Sequence, residues 1–195
     1  MKALPWRTAL ITGASSGIGR GLAERLAAGG VHVVLAARRE ALLAEVAAGI
    51  TARGGKARAE VLDVSDTEKT VAVVRAVDAE LEGLDLVVAN AGVGAPQAAE
   101  GQTVSFEWEN LAGAFHTNFC GAAATLTAAL PRMVARGRGH LVAIGSLASF
   151  GALPDAAAYC APKAGLAMLL ECLRLDLRGT GVKVTSVHGG SCGRR

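Results

Sequence analysis

A short apolar stretch that runs directly into a glycine loop and then into a helical pattern leaves a chain few ways to fold. Arg7 to Thr12 reads RTALIT, a strand, and it is followed by Gly13-Ala14-Ser15-Ser16-Gly17-Ile18-Gly19 and by the helical pattern Arg20 to Ala28. Glycines let the backbone turn tightly and approach a ligand closely. The helix that follows presents unpaired N–H groups at its start, which favour an anion. Any tight strand-to-helix turn can use glycines. Their place between this strand and this helix is what points the loop Gly13 to Gly19 at a phosphate group.

The alternation continues along the chain. Val31 to Ala36 forms a second strand before a helix from Glu40 to Ala52, and Lys56 to Leu62 a third, ending at Asp63-Val64 before a helix from Asp66 to about Leu81. Leu84 to Ala89 is a fourth strand, followed by Asn90-Ala91-Gly92. Gln97 to Ser105 is irregular. Phe106 to about Met133 is a long helix, expected to bend near Gly113 or Gly121 and to end around Pro131. Gly139 to Gly145 delivers Ser146 at the end of a fifth strand, Ala156 to Leu175 is helical, and Val182 to Val187 is the sixth strand. With 51% hydrophobic residues and only 4% aromatic ones, the 195-residue chain has the Ala, Val, Leu and Gly balance of parallel strands covered on both faces. The expectation is one α/β domain, a doubly wound parallel sheet of six strands over residues 1–195. Right-handed crossovers bring the strand ends to one edge.

Composition removes several partners. A net charge of +3 without a basic stripe interleaved with aromatics argues against nucleic acid. The four cysteines, at 120, 160, 172 and 192, show no CxxC and no metal-type pairing with histidine, so no metal site and reduced thiols in a cytoplasmic protein are expected. The N-terminus lacks the apolar core of a signal peptide. Leu111 to Pro131 is long and uncharged, but His116, Thr117, Asn118, Thr125 and Thr127 make it a buried helix rather than a membrane span.

Ala37 at the end of the second strand is followed by Arg38 and Arg39, where an NAD-selective protein would place an Asp or Glu to hold the ribose 2′-hydroxyl. A guanidinium there can fork onto a 2′-phosphate, so the cofactor is expected to be NADP(H). The bland reading is two solvated charges at the start of the next helix. Asp63 could reach an adenine or cap a turn, and Gly92 lets the chain pass close to the cofactor. Tyr159 is the only tyrosine, and Lys163 lies one helical turn further on the same face. A phenol titrates near about 10, and it exchanges protons near neutrality only where a neighbouring positive charge favours its anion.

Thr12-Gly13-x-x-x-Gly17-x-Gly19, Asn90-Ala91-Gly92, Asn118, Ser146 and Tyr159-x-x-x-Lys163, in this order, resemble the short-chain dehydrogenase/reductase family, and the resemblance covers residues 7 to about 188. It implies a Rossmann-type fold in which Tyr159 is the general acid/base, Ser146 hydrogen-bonds the reacting oxygen, and Lys163 contacts the nicotinamide ribose while lowering the Tyr pKa. Asn118 would hold a water linking Lys163 to solvent; otherwise it is an Asn at a helix kink that bonds the backbone. The resemblance implies that Gly13, Ser15, Ser16, Gly17, Ile18 and Gly19 surround the pyrophosphate, Arg38 and Arg39 the 2′-phosphate, and Asp63 and Val64 the adenine. Asn90, Ala91 and Gly92 would lie on the adenosine ribose side.

The likeness weakens at the C-terminus. Val187-His188 is followed by Gly189-Gly190-Ser191-Cys192-Gly193-Arg194-Arg195, without the family's Pro-Gly, substrate helix and seventh strand. The leading expectation is an NADP(H)-dependent oxidoreductase interconverting a secondary alcohol and a ketone or aldehyde. The alternative is a non-catalytic dinucleotide-binding sensor or scaffold. Since the long helix and Ala156 to Leu175 lack a fully solvated face, a homodimer or homotetramer built on these two helices is expected, with no membrane partner.

Overall fold

The computed structural model describes residues 4–94 and 107–189. Six strands form one sheet: β1 (Thr8–Thr12), β2 (His32–Ala37), β3 (Lys56–Val61), β4 (Leu86–Ala89), β5 (Gly139–Ser146) and β6 (Val182–Gly189). Every neighbouring pair is parallel, and the order is β3-β2-β1-β4-β5-β6. The chain therefore winds outward from β1 to β3, returns to place β4 beside β1, and winds outward the other way. This is the doubly wound, Rossmann-type parallel sheet that the alternation predicts. The reversal between β1 and β4 leaves a crevice beyond their carboxyl ends, where such sheets bind ligands.

Helices α1 (Gly17–Ala28), α2 (Glu40–Ala52), α3 (Thr67–Glu80), α4 (Trp108–Phe115), α5 (Ala122–Ala135) and α6 (Ala157–Asp176) cover the two faces. Successive strand residues point to opposite sides, so β1 serves two cores. Ala9 and Ile11 join Val33, Leu35 and Val88 under Ala23, Leu26, Leu43 and Val46 of α1 and α2. Leu10 joins Val34, Val87 and Leu141 against Val74, Leu126, Met133, Leu166 and Leu170 of α3, α5 and α6. Burial on both faces explains why these strands read as continuous apolar runs.

The long helix is interrupted at one of the two expected glycines and runs on past its expected end. Between α4 and α5 it widens into a π-helical turn, His116–Gly121, so the irregularity falls at Gly121 and not at Gly113. A Cβ on Gly121 would stand 2.5 Å from the Val64 carbonyl oxygen, so only glycine lets the helix rest on the β3–α3 connection. Pro131 does not end it. Proline forfeits one N–H, but Met133 beyond it is buried in the core and the helix continues to Ala135. The stop comes at Gly137, where φ is +65° and Arg138 N–H closes on the Met133 carbonyl. The expected helix start at Phe106, the irregular stretch Gln97 to Ser105 and Cys192 lie outside the described residues. No helix among the described residues is long and apolar enough to cross a membrane.

Candidate functional site

The glycine loop turns where β1 ends, and Asn90 fastens it to the end of β4. Asn90 Nδ2 donates to the carbonyls of Thr12 at 2.9 Å and Gly13 at 3.2 Å. Thr12 Oγ1 in turn accepts the N–H groups of Asn90 at 3.1 Å and Ala91 at 3.2 Å. A Cβ on Gly13 would stand 2.8 Å from Ala91 Cα, and one on Gly19 would stand 2.4 Å from the Gly13 oxygen. These two positions admit only glycine. Gly17, at φ +56°, opens α1. Ser16 occupies the N-cap position without capping the first turn, and its hydroxyl accepts from Arg39 Nη2 at 2.6 Å. The first N–H groups of α1 thus have no side-chain cap, which suits an anion such as a pyrophosphate.

Arg38 and Arg39, at the end of β2, line one groove with Gly13, Ser15, Ser16, Asp63 and Val64, which continues along Asn90, Ala91, Gly92 and Val93. Arg39 reaches back over the glycine loop to Ser15 Oγ at 3.0 Å as well as to Ser16. Arg38 Nη1 lies 3.7 Å from Asp63 Oδ2. Asp63 also takes the Ser65 N–H at 3.0 Å and hydroxyl at 2.8 Å. Of the two roles foreseen for Asp63 the turn is observed, and the residue also lines the groove. Burial would raise its pKa, but the Ser65 bonds and the Arg38 guanidinium hold it below the ordinary value. Thr117, on the π turn, lines the same groove. Nothing local in the sequence marks Thr117, since it arrives there by the packing of a distant helix.

At the far end of the groove α6 presents Tyr159 and Lys163. The ammonium of Lys163 lies 5.9 Å from the centroid of the Tyr159 ring. Lys163 is buried and donates to the Ile144 carbonyl at 2.9 Å, and burial pulls its pKa down. A Cβ on Gly92 would stand 2.9 Å from Asn118 Oδ1 and 3.6 Å from Lys163 Nζ, so Gly92 allows all three to converge. Asn118, fully buried, bonds backbone, though not that of its own helix: both ends of its amide meet Val93. Tyr159, Lys163 and Ile18 line a cleft with Gly92, Val93 and Gly145. Tyr159 also lines the neighbouring cleft with Ser146. Ser146 Oγ accepts the Ala148 N–H at 3.1 Å, opening the 3-10 turn Leu147–Ser149. That acceptance leaves the hydroxyl proton of Ser146 available to another acceptor.

His188 was not singled out by the sequence. β6 runs two residues beyond its expected end, and register places His188 opposite Gly145. Its Nδ1 lies 3.2 Å from the Ser146 carbonyl oxygen and its Nε2 2.5 Å from Ser186 Oγ. A carbonyl only accepts, so Nδ1 carries the proton and Nε2 receives that of Ser186. The Phe150 ring packs on the imidazole at 4.7 Å between centroids. The histidine thereby holds the strand end that presents Ser146. The available signal was the glycine: a Cβ on Gly145 would stand 2.6 Å from His188 Nδ1. Among the described residues no group of three or more His, Cys, Asp and Glu could hold a metal ion.

Comparison with known proteins places this geometry. The short chain dehydrogenase family matches residues 7–193. An uncharacterized oxidoreductase of Myxococcus xanthus is 50% identical over 190 residues, which are 97% of this chain and 74% of that protein. The glycine betaine reductase ATRR of Emericella nidulans is 37% identical over 96% of this chain, a stretch that makes up 14% of that much longer protein. Among solved structures, a metagenomic short-chain oxidoreductase in complex with NADP superposes with a TM-score of 0.87 at 35% identity, over 95% of this chain and 82% of that one. A putative NAD(P)-dependent gluconate 5-dehydrogenase of Beutenbergia cavernae with bound NADP gives a TM-score of 0.87 at 34% identity, over 96% and 73%.

Proposed function

The chain belongs to the short-chain dehydrogenase family, and on that premise we propose that it is an NADP(H)-dependent oxidoreductase interconverting a secondary alcohol and a ketone, or a primary alcohol and an aldehyde. The observation that carries this reading is the position of Tyr159, which lines both the cleft at the end of the dinucleotide groove and the cleft beside Ser146. A proton donor that serves both can act where a cofactor and a substrate meet. NADP(H), when bound, supplies or accepts the hydride. In this reading the uncapped start of α1 and the loop Gly13 to Gly19 hold its pyrophosphate, Arg38 and Arg39 its 2′-phosphate, and Asp63 and Val64 its adenine.

The chain's own groups then divide the work on the oxygen. Tyr159 gives its proton to the carbonyl oxygen in reduction and takes it back in oxidation. Ser146 donates a second hydrogen bond to the same oxygen, where charge develops in the transition state. Lys163 keeps a positive charge beside the phenol as the proton leaves, and its ammonium, with one hydrogen on the Ile144 carbonyl, has two left for a ribose hydroxyl. Asn118 fixes Val93 and so the wall of the cleft. The choice of NADP is supported by two relatives solved with that cofactor and by the two arginines in the groove. The oxidoreductase names of the relatives do not favour a binding module. Self-association through α4 and α6 belongs to the same proposal. So does a cytoplasmic setting, which the free thiols of Cys120, Cys160 and Cys172 support.

The test is Tyr159→Phe. It keeps the ring and removes only the hydroxyl, so single-turnover hydride transfer from NADPH to a ketone should be abolished while NADPH affinity stays almost unchanged. Lys163→Ala should harm both. Hydride transfer by Tyr159→Phe at the parent's rate would overturn the assignment.

A further inference from the structure

Ser146 and Tyr159 share their cleft with a wall that is apolar. Leu147, Ala148 and Leu153 line it beside the two hydroxyls, with Gly151 and Ala152 between them. The bulk of this wall faces water: Leu147 is 60% exposed, Leu153 53%, and the adjacent Phe150 70%. Large apolar side chains left exposed together at a concavity mark a surface that binds something. The two hydroxyls that line it, those of Ser146 and Tyr159, are hydrogen-bond donors for a carbonyl oxygen. Among the described residues no Lys, Arg, His, Asp or Glu lines the cleft. A carboxylate or phosphate entering it would shed water and meet no cation among these described lining residues.

Resting on the oxidoreductase reading above, we infer that the substrate is an uncharged carbonyl compound whose carbonyl carbon bears an apolar alkyl or aryl group, seated against Leu147 and Leu153. Keto acids and sugar acids are outside this class. In reduction the carbonyl carbon receives the hydride of NADPH and the oxygen the proton of Tyr159. The products are the secondary alcohol, NADP+ and a phenolate that regains its proton from solvent. The apolar group stays on the Leu147 side throughout, so its burial acts on binding and on the transition state together.

The experiment follows kcat/KM of the full chain with NADPH over a series of 2-alkanones from butanone to 2-nonanone, beside 2-oxo acids of matched length. Each added methylene should raise kcat/KM by roughly fourfold while it is being fully buried, and the series should level off once the cleft is filled. The oxo acids should be at least about tenfold slower than the ketones of equal length. Leu153→Lys, at an exposed position, should narrow or invert that gap by supplying the missing cation. Binding of the same compounds to the protein with NADP+ is measured by calorimetry in parallel. A flat ketone series, or a preference for the oxo acids, overturns this inference and leaves the oxidoreductase reading standing. A methylene ladder in binding with no turnover of any ketone overturns the oxidoreductase reading and leaves the cleft's preference for apolar carbonyl ligands. The absence of both ladder and turnover overturns both.

Discussion

Asn118 and Val93 are joined at both ends of one side-chain amide: the Val93 N–H donates to Asn118 Oδ1 at 2.8 Å, and Asn118 Nδ2 donates to the Val93 carbonyl at 2.9 Å. One side chain on a helix thus satisfies both backbone polar groups of one residue in the connection that leaves β4. Because Asn118 is buried, truncating it strands both partners. Asn118→Ala should therefore cost about 1–3 kcal/mol, read as a lower urea midpoint at unchanged m-value. Asn118→Asp should gain nothing over it, since the carboxylate keeps the N–H and repels the carbonyl. A midpoint equal to that of the parent would show that Val93 finds other partners.

Cofactor preference rests on two guanidiniums with different surroundings. Arg38 faces Asp63 at 3.7 Å, too long for a hydrogen bond, whereas Arg39 is engaged by Ser15 and Ser16. Arg38→Asp removes the looser one and adds a like charge opposite the 2′-phosphate. It should weaken NADPH by roughly ten- to a hundredfold and leave NADH within a few-fold, as measured by fluorescence titration. Arg39→Ala should weaken both cofactors, because it also frees the two serines of the phosphate loop. Equal affinity of the unaltered protein for NADPH and NADH would end this account.

Acid should destabilise the fold through His140. Its Nε2 lies 2.7 Å from Thr185 Oγ1 and its ring 5.6 Å from that of Trp6. Burial, and then the charge of Lys183, lower its pKa below 6.5. The unfolded chain takes up this proton near 6.5 while the folded protein resists until lower pH, so over that interval the unfolded state binds more protons and stability falls as pH falls. Below the folded value the loss levels off. His32 is lowered in the same direction, first by burial and then by Lys56 and Arg58. His140→Gln should therefore lose less stability than the parent between pH 7.5 and 5.5, with His32 supplying the remainder. Identical losses would remove His140 from the explanation.

Trp108 on α4 and Met168 and Leu175 on α6 are exposed large apolar side chains. Burying them against a second copy predicts at least a dimer by light scattering at micromolar concentration. Met168→Glu, which places a charge in that interface, should yield a monomer with a lower melting temperature. A monomeric parent would refute the interface.

What the sequence determined by itself was whatever a few neighbouring residues decide. The strands β1 to β6 and the helices between them followed from the pattern of apolar residues, and the turn at Gly13 and the opening of α1 followed from glycine's freedom and the missing Cβ. Tyr159 and Lys163 were legible as a pair because one helical turn separates them. Pro131 misled for the same local reason: its missing N–H weakens the helix, but the burial of Met133 against distant strands outweighs that loss. The tertiary structure alone decided which distant partner each of these polar groups would meet. Asn118 turns to Val93, Arg39 to Ser16, Lys163 to Ile144 and His188 to Ser146, pairings that span 19 to 42 positions of the chain. A hydrogen-bonding group taken out of water must find a partner, and which partner lies in reach is set by the packing of the sheet, after the local choices have been made.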